Sequence, residues 1–172
     1  MTPPTARQPQ PARVSAAALR TATADDLDAI MALETATFIT DAWSSATMRS
    51  ELRSEHSFYL VAERDGEVVG YGGLRAVAGS PDADIQTIAV APVARGAGLG
   101  RALMVALIDE AGRRGSREVF LEVRADNPVA QRLYDSLGFR RIAFRARYYQ
   151  PDDVDAIVMR LKLAVHELEG GR

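Results

Sequence analysis

Residues 95–101 read Arg-Gly-Ala-Gly-Leu-Gly-Arg, with glycines at 96, 98 and 100 standing between an apolar run that ends at Val90 and a stretch with helical spacing. The first N–H groups of a helix have no intrahelical acceptor and lie at the positive end of its dipole, so a helix N-terminus is a natural phosphate site. Glycine allows positive φ in such a turn and removes the Cβ that would hold a phosphate away. The same glycines also suit a tight strand-to-helix turn with no ligand, and by themselves they leave both readings open. Two nucleotide motifs are excluded. A Walker A loop ends in Gly-Lys-Ser/Thr, whereas Gly100 is followed by Arg101 and Ala102. The dinucleotide fingerprint needs a further glycine where this chain has Arg101, and no acidic ribose partner follows the next strand at the usual place. Glu122 also stands out, as a carboxylate within the mostly apolar run 118–124. Strand alternation puts Phe120, Glu122 and Arg124 on one face and Val119, Leu121 and Val123 on the other. A solvated surface glutamate is the plain reading of that position.

The elements that must position these groups follow from periodicity. Residues 24–38 have helical spacing, with Leu27, Ile30, Met31, Leu33 and Phe38 on one face and Asp25 and Asp26 as cap and first-turn charge. A second helix starts at Ser44 or Ser45, with Met48 and Leu52 inward. Residues 57–63 and 67–77 read as a hairpin around Arg64-Asp65-Gly66-Glu67, its return strand broken by Gly70, Gly72 and Gly73. A strand over 82–90 leads into the glycine turn and a helix over 99–114 that stops at Gly115. Then come a strand over 118–124, a helix capped by Asp126 or Asn127 that runs to Leu137, and closing strands over 139–147 and 155–163. This order predicts a single α/β domain around one mixed sheet.

The glycine turn fits Arg95-x-x-Gly98-x-Gly100, which resembles the pyrophosphate loop of the GNAT superfamily of N-acetyltransferases. Downstream, Asn127-x-x-Ala130-x-x-Leu133-Tyr134-x-x-x-Gly138-Phe139 resembles that superfamily's acetyl-CoA-side helix, and the interval leaves room for one helix and one strand. Asp41-Ala42-Trp43-Ser44, Arg147-Tyr148-Tyr149-Gln150-Pro151 and Asp155-Ala156 narrow the likeness to the RimI family of ribosomal-protein-alanine N-acetyltransferases, over about residues 17–163. The resemblance implies a GNAT fold with a largely antiparallel sheet and helices on both faces. It also sets the expected organisation: a disordered Pro- and Ala-rich leader over 1–16, one domain over 17–163, and a tail over 164–172.

Acetyl transfer to an amine needs a neutral nucleophile, a polarised thioester carbonyl and a proton for the departing thiolate. The resemblance implies acetyl-CoA as co-substrate on Arg95, Gly96, Ala97, Gly98, Leu99, Gly100 and Arg101. The strand Ile88-Ala89-Val90 would open beside it and polarise the carbonyl through backbone N–H near Val90. Arg95 and Arg101 could equally be solvated. By the same resemblance Glu122 takes the amine proton through water, Tyr134 protonates the thiolate and Asn127 touches the cofactor. Asn127 reads equally as a helix cap, and Tyr134 as core packing beside Leu133 and Leu137. Trp43, Tyr148 and Tyr149, aromatics expected on loops, suit a peptide slot, though Trp43 could instead anchor the second helix. Glu34, Asp41 and Asp153 are candidate partners for a basic peptide, or simply solvated.

The expected activity is Nα-acetylation of the N-terminal alanine of a small-subunit ribosomal protein. Acetylation of a small-molecule amine or a protein lysine, and a non-catalytic acyl-CoA-binding module, are the alternatives; the presence of both Glu122 and Tyr134 argues against the module. Composition bounds the rest. The 172 residues contain no cysteine, which removes disulfides, thiolate metal sites and a cysteine nucleophile. A net charge of −2 gives no electrostatic reason to expect nucleic acid or an anionic membrane. No apolar run approaches the ~20 residues that span a bilayer. His56 and His166 have no further ligand at metal spacing, so no metal is expected. A cytoplasmic monomer is the default expectation.

Overall fold

The computed structural model describes residues 16–164. The expected leader and tail, apart from Ala16 and Ala164, and His166 lie outside the described residues. The chain runs β1 (Ala18–Thr21), α1 (Leu27–Thr37), α2 (Ser45–Arg53), β2 (Ser57–Arg64), β3 (Glu67–Arg75), β4 (Asp82–Val90), α3 (Leu99–Arg113), β5 (Glu118–Arg124), α4 (Pro128–Ser136), β6 (Arg140–Tyr149) and β7 (Val154–Lys162). All seven strands form one sheet in the order β1-β2-β3-β4-β5-β7-β6, antiparallel throughout except for β4 against β5.

Each helix follows from local signals. Ser44 caps α2 by accepting the Thr47 N–H at 3.1 Å. Asn127 caps α4 by accepting the Ala130 N–H at 3.1 Å, with Pro128 in the first turn. Gly98, at φ 80°, caps α3 with no side chain of its own. The sheet separates two cores. On one face α3 and α4 bury Leu103, Met104, Leu107, Ala111 and Tyr134 against Leu60, Leu74, Ile85, Val119, Leu121 and Val123. On the other, α1 and α2 bury Leu27, Ile30 and Met48 against Tyr59, Val61, Tyr71 and Ala89.

Several expectations are corrected. β1 was not anticipated; its four residues are too short to show an alternation, and it exists by pairing with Leu60–Glu63 of β2. The first helix is α-helical only from Leu27, because Ala24–Asp26 form a 3-10 turn. Asp26 there is buried, takes the Thr23 N–H at 2.8 Å and is gripped by both Arg20 Nη atoms at 2.8 Å. That grip holds its carboxyl below the ordinary range. Tyr148 and Tyr149, expected on a loop, are the last two residues of β6. The glycines of β3 mark close neighbours, as expected: a Cβ on Gly73 would stand 2.4 Å from the Tyr59 ring.

Candidate active site

The site is built around a gap in the sheet. β4 and β5 pair only over Asp82–Asp84 and Glu118–Phe120. Beyond Asp84, β4 bonds only to β3 and β5 only to β7, so the two strands part with their backbones unpaired towards each other. The cause is visible in the β3–β4 register. Gly73 faces Thr87 but Leu74 faces Ile85, which leaves Gln86 as an extra residue. Such a bulge bends the strand and increases its twist. It also switches the faces, so that Ile85 and then Ile88 and Val90 belong to the α3 side while Thr87 and Ala89 turn to the α1 side.

The backbone next to this gap has N–H groups without backbone partners. Ala91 N–H donates to Val69 C=O at 2.8 Å, and alternation therefore turns the Val90 N–H and C=O towards the gap. Arg95 Nε donates to that Val90 carbonyl at 2.9 Å, so the exposed Arg95 side chain folds back along the turn. Gly96 and Gly98 both have φ 80°, with nothing within 4 Å of where a Cβ would stand. Ala102 is the first residue of α3 whose N–H finds a backbone acceptor, Gly98 C=O at 3.0 Å, so the N–H groups of Leu99, Gly100 and Arg101 open on the same space. Arg101 reaches Ser136 of α4, which closes the helix pair around the turn.

α4 forms the far side. Asn127 performs its capping role and remains exposed. Tyr134 is buried, 6.1 Å from the Phe139 ring, and burial pushes its phenol up to about 12. Both readings of Tyr134 share this position: it belongs to the core, and it stands on the helix that faces the turn.

Glu122 lies on the opposite face of the sheet from α3 and α4, as alternation predicts, with Val119, Leu121 and Val123 buried behind it. Its carboxylate pairs with Arg145 Nη1 at 3.2 Å. Tyr148 sits beside it, and hydrogen bonding to that carboxylate raises the Tyr148 phenol above its ordinary value. Burial raises Tyr149 further, helped by the charges of Glu122 and Asp41. Burial, Asp82 and Glu122 raise the Asp84 carboxyl at the point where the strands part. The Arg145, Tyr148 and Tyr149 side chains thus gather over Glu122, with Arg145 5.4 Å from the Tyr148 ring centre and the two tyrosine rings 5.2 Å apart.

The other candidates fall differently. Trp43 packs on the α1–α2 core while its backbone N–H donates to Glu34 Oε1 at 2.8 Å, which favours the anchoring reading. Glu34 is no surface group for a basic peptide: it is 1% exposed, on the inward stripe with Leu27 and Ile30, and takes hydrogen bonds from Tyr71 and Thr87 as well. Asp153 pairs with Arg147 at 3.1 Å, and Asp41 lies 3.7 Å from Arg124. Arg124 was not singled out as functional, yet it joins Asp41, Asp126 and Asp152; only its place two residues beyond Glu122 on the same face hinted at this. Among the described residues no group of three or more His, Cys, Asp or Glu could hold a metal ion, and no helix is long and apolar enough to cross a membrane.

A sequence model of the acetyltransferase (GNAT) family matches residues 27–139, from α1 through the glycine turn to the end of the α4 motif. The chain belongs to the GNAT family. It is accordingly an N-acetyltransferase, and the parted sheet is the GNAT fold. N-alpha-acetyltransferase RimI of Mycobacterium tuberculosis is 42% identical over 122 residues, 70% of this chain and 75% of that one. The bS18-alanine N-acetyltransferase of Escherichia coli K12 is 37% identical over 125 residues, 72% and 82%. Among solved GNAT structures, the ribosomal-protein-S18-alanine N-acetyltransferase from Escherichia coli superposes with a TM-score of 0.78 at 33% identity, covering 88% of this chain and 98% of that one. The yncA structure from Salmonella typhimurium, determined with its cofactor acetyl-CoA, superposes at 0.75 with 25% identity, covering 89% and 97%.

Proposed function

We propose that this GNAT chain is an acetyl-CoA-dependent Nα-acetyltransferase whose acceptor is the N-terminal alanine of ribosomal protein bS18. The observation that carries the reading is the parting of β4 from β5 between the glycine turn and Glu122. A donor on one face and an acceptor on the other can meet only through such an opening. The open space at Gly96 and Gly98, where a Cβ would otherwise project, fits a pyrophosphate against the first-turn N–H groups of α3. When bound there, acetyl-CoA supplies an activated acetyl thioester.

The residues then divide the work. Ile88, Ala89 and Val90 align the thioester along the free edge of β4, where the Val90 N–H polarises its carbonyl. Arg95, Arg101 and Asn127 flank the phosphate-bearing arm. Glu122 accepts a proton from the acceptor amine through water as the N–C bond forms. Tyr134, kept protonated by its burial, gives a proton to the sulfur as the C–S bond breaks. An α-amine with pKa ~8 is neutral in about one molecule in ten at pH 7, whereas a lysine near ~10.4 is neutral in well under one in a thousand. A single carboxylate therefore suffices for a peptide N-terminus. Tyr148 and Tyr149 line the acceptor side, with Trp43 holding the α1–α2 segment beside them. The reading is of a monomer acting in the cytoplasm, where a ribosomal-protein substrate is made.

Acetyl-CoA should be incubated with peptides of differing N-termini, polyamines and aminoglycosides, and the products read by mass. Acetylation of Ala-starting bS18 peptides is expected; modified small amines with no modified peptide would overturn the reading. Glu122→Gln and Tyr134→Phe should each lower kcat by about 10²- to 10⁴-fold while acetyl-CoA affinity holds.

A further inference from the structure

Arg124 ends β5 and makes more contacts than any role in strand pairing requires. Its guanidinium reaches Asp126 at 3.0 Å and Asp152 at 3.1 Å, and lies 3.7 Å from Asp41. It also lies 5.1 Å from the centre of the Tyr149 ring. Asp41 belongs to the segment between α1 and α2, and Asp152 to the turn between β6 and β7. Those two segments touch directly as well, since Thr40 Oγ1 donates to Asp152 Oδ2 at 2.7 Å. The backbone of Arg124 is itself fixed: its carbonyl accepts from the N–H of Asn127, the α4 cap, at 3.1 Å and from Nε2 of Gln131, within α4, at 3.0 Å. A planar fork with several donors can hold carboxylates from separate segments at once, which an ammonium cannot do with the same geometry.

We propose that Arg124 is a positioning residue that joins the 38–44 and 150–153 segments into one wall of the acceptor slot, anchored to the strand that carries Glu122. This rests on the acceptor side being where the proposed function puts it. The wall then moves as a unit: loosening either segment loosens the other, and the slot holds the acceptor peptide less tightly while Glu122 itself stays in place.

Two measurements test this, one of them independent of any activity. In hydrogen exchange on the full chain, Asp152→Asn should speed exchange in 38–44 as well as in 150–153, and Arg124→Met should do so in both segments by about ten-fold. Exchange that changes only next to the substituted residue would overturn the proposal. In kinetics with an Ala-starting peptide, Arg124→Met should raise peptide KM by about ten-fold or more, change kcat by less than about three-fold and leave acetyl-CoA affinity unaltered. Arg124→Lys should recover only part of the loss, and it serves as the readout should Arg124→Met fail to fold. Asp41→Asn and Asp152→Asn should combine non-additively in the parent chain and additively with Arg124→Met. Additivity in both backgrounds, or full recovery by lysine, would overturn it. If the parent chain acetylates no peptide, the proposed acceptor is wrong, and the exchange result still decides the coupling.

Discussion

Replacing Gly98 with alanine separates a phosphate cradle from a merely tight turn. Gly98 has φ +80° and no atom within 4 Å of a built Cβ, so the substitution meets no steric neighbour and strains only the backbone. An L-residue in the left-handed region costs about 1–2 kcal/mol. In a chain of this size each kcal/mol lowers Tm by roughly 2–4 °C. Gly79 provides the control: it also has φ +80° and open surroundings, but it precedes β4 while Gly98 follows it, some 30 Å of strand away. Gly79→Ala and Gly98→Ala should therefore lower Tm by the same few degrees. Only Gly98→Ala puts a methyl group where a phosphate would approach the α3 N–H groups. Losing one charge-assisted hydrogen bond there, worth about 1.5–3 kcal/mol, raises the Kd for acetyl-CoA by about 10- to 100-fold. Thermal unfolding and titration calorimetry with acetyl-CoA measure the two effects separately. Equal affinity in the two variants would refute the assignment of the turn to the pyrophosphate.

Three further outcomes follow from the packing and the titrating groups. Glu34→Ala removes the carboxylate that accepts from Trp43 N–H, Tyr71 and Thr87 in a buried site, and should cost about 2–4 kcal/mol in urea unfolding; a loss below about 0.5 kcal/mol would refute its structural importance. Gly73→Ala places a Cβ 2.4 Å from the Tyr59 ring and should destabilise by about 1–3 kcal/mol, with most of that loss absent in a Tyr59→Leu background. Tyr134, raised from 10.0 to about 12 by burial, binds its proton more tightly folded than unfolded. Its contribution of about 2–3 kcal/mol is full below pH 10 and lost as pH rises through 12, so Tyr134→Phe should reduce the alkaline fall in unfolding free energy by that amount. An unchanged alkaline profile would contradict the burial of that hydroxyl.

The local features of the site were legible from the residue order alone. Positive φ at Gly96 and Gly98, the Asn127-Pro128 cap and the alternation that sets Glu122 apart from Val119, Leu121 and Val123 all follow from backbone sterics and strand geometry within a few residues. So did the hairpin at Asp65-Gly66, where both residues have positive φ. β1 was missed because four residues carry no period, and its pairing with β2 spans some forty residues of chain. The bulge at Gln86 was equally hidden, since it exists only as a mismatch between two strands.

What the sequence determined by itself was the set of groups proposed to bind a phosphate and move protons, and the elements that carry them. Tertiary structure decided which side chains face one another. Glu34 looked like a candidate surface carboxylate until α1 docked and turned it inward onto Trp43, Tyr71 and Thr87. Arg124 looked like one more arginine in a chain with a single lysine, until folding brought Asp41 and Asp152 to it from opposite ends of the domain. The physical reason is range. Dihedral preferences, caps and alternation act over a turn or two of chain, whereas the parting of β4 from β5 and the gathering of Arg145 and Tyr148 around Glu122 depend on contacts between segments distant in the chain, which exist only once the sheet has closed its register.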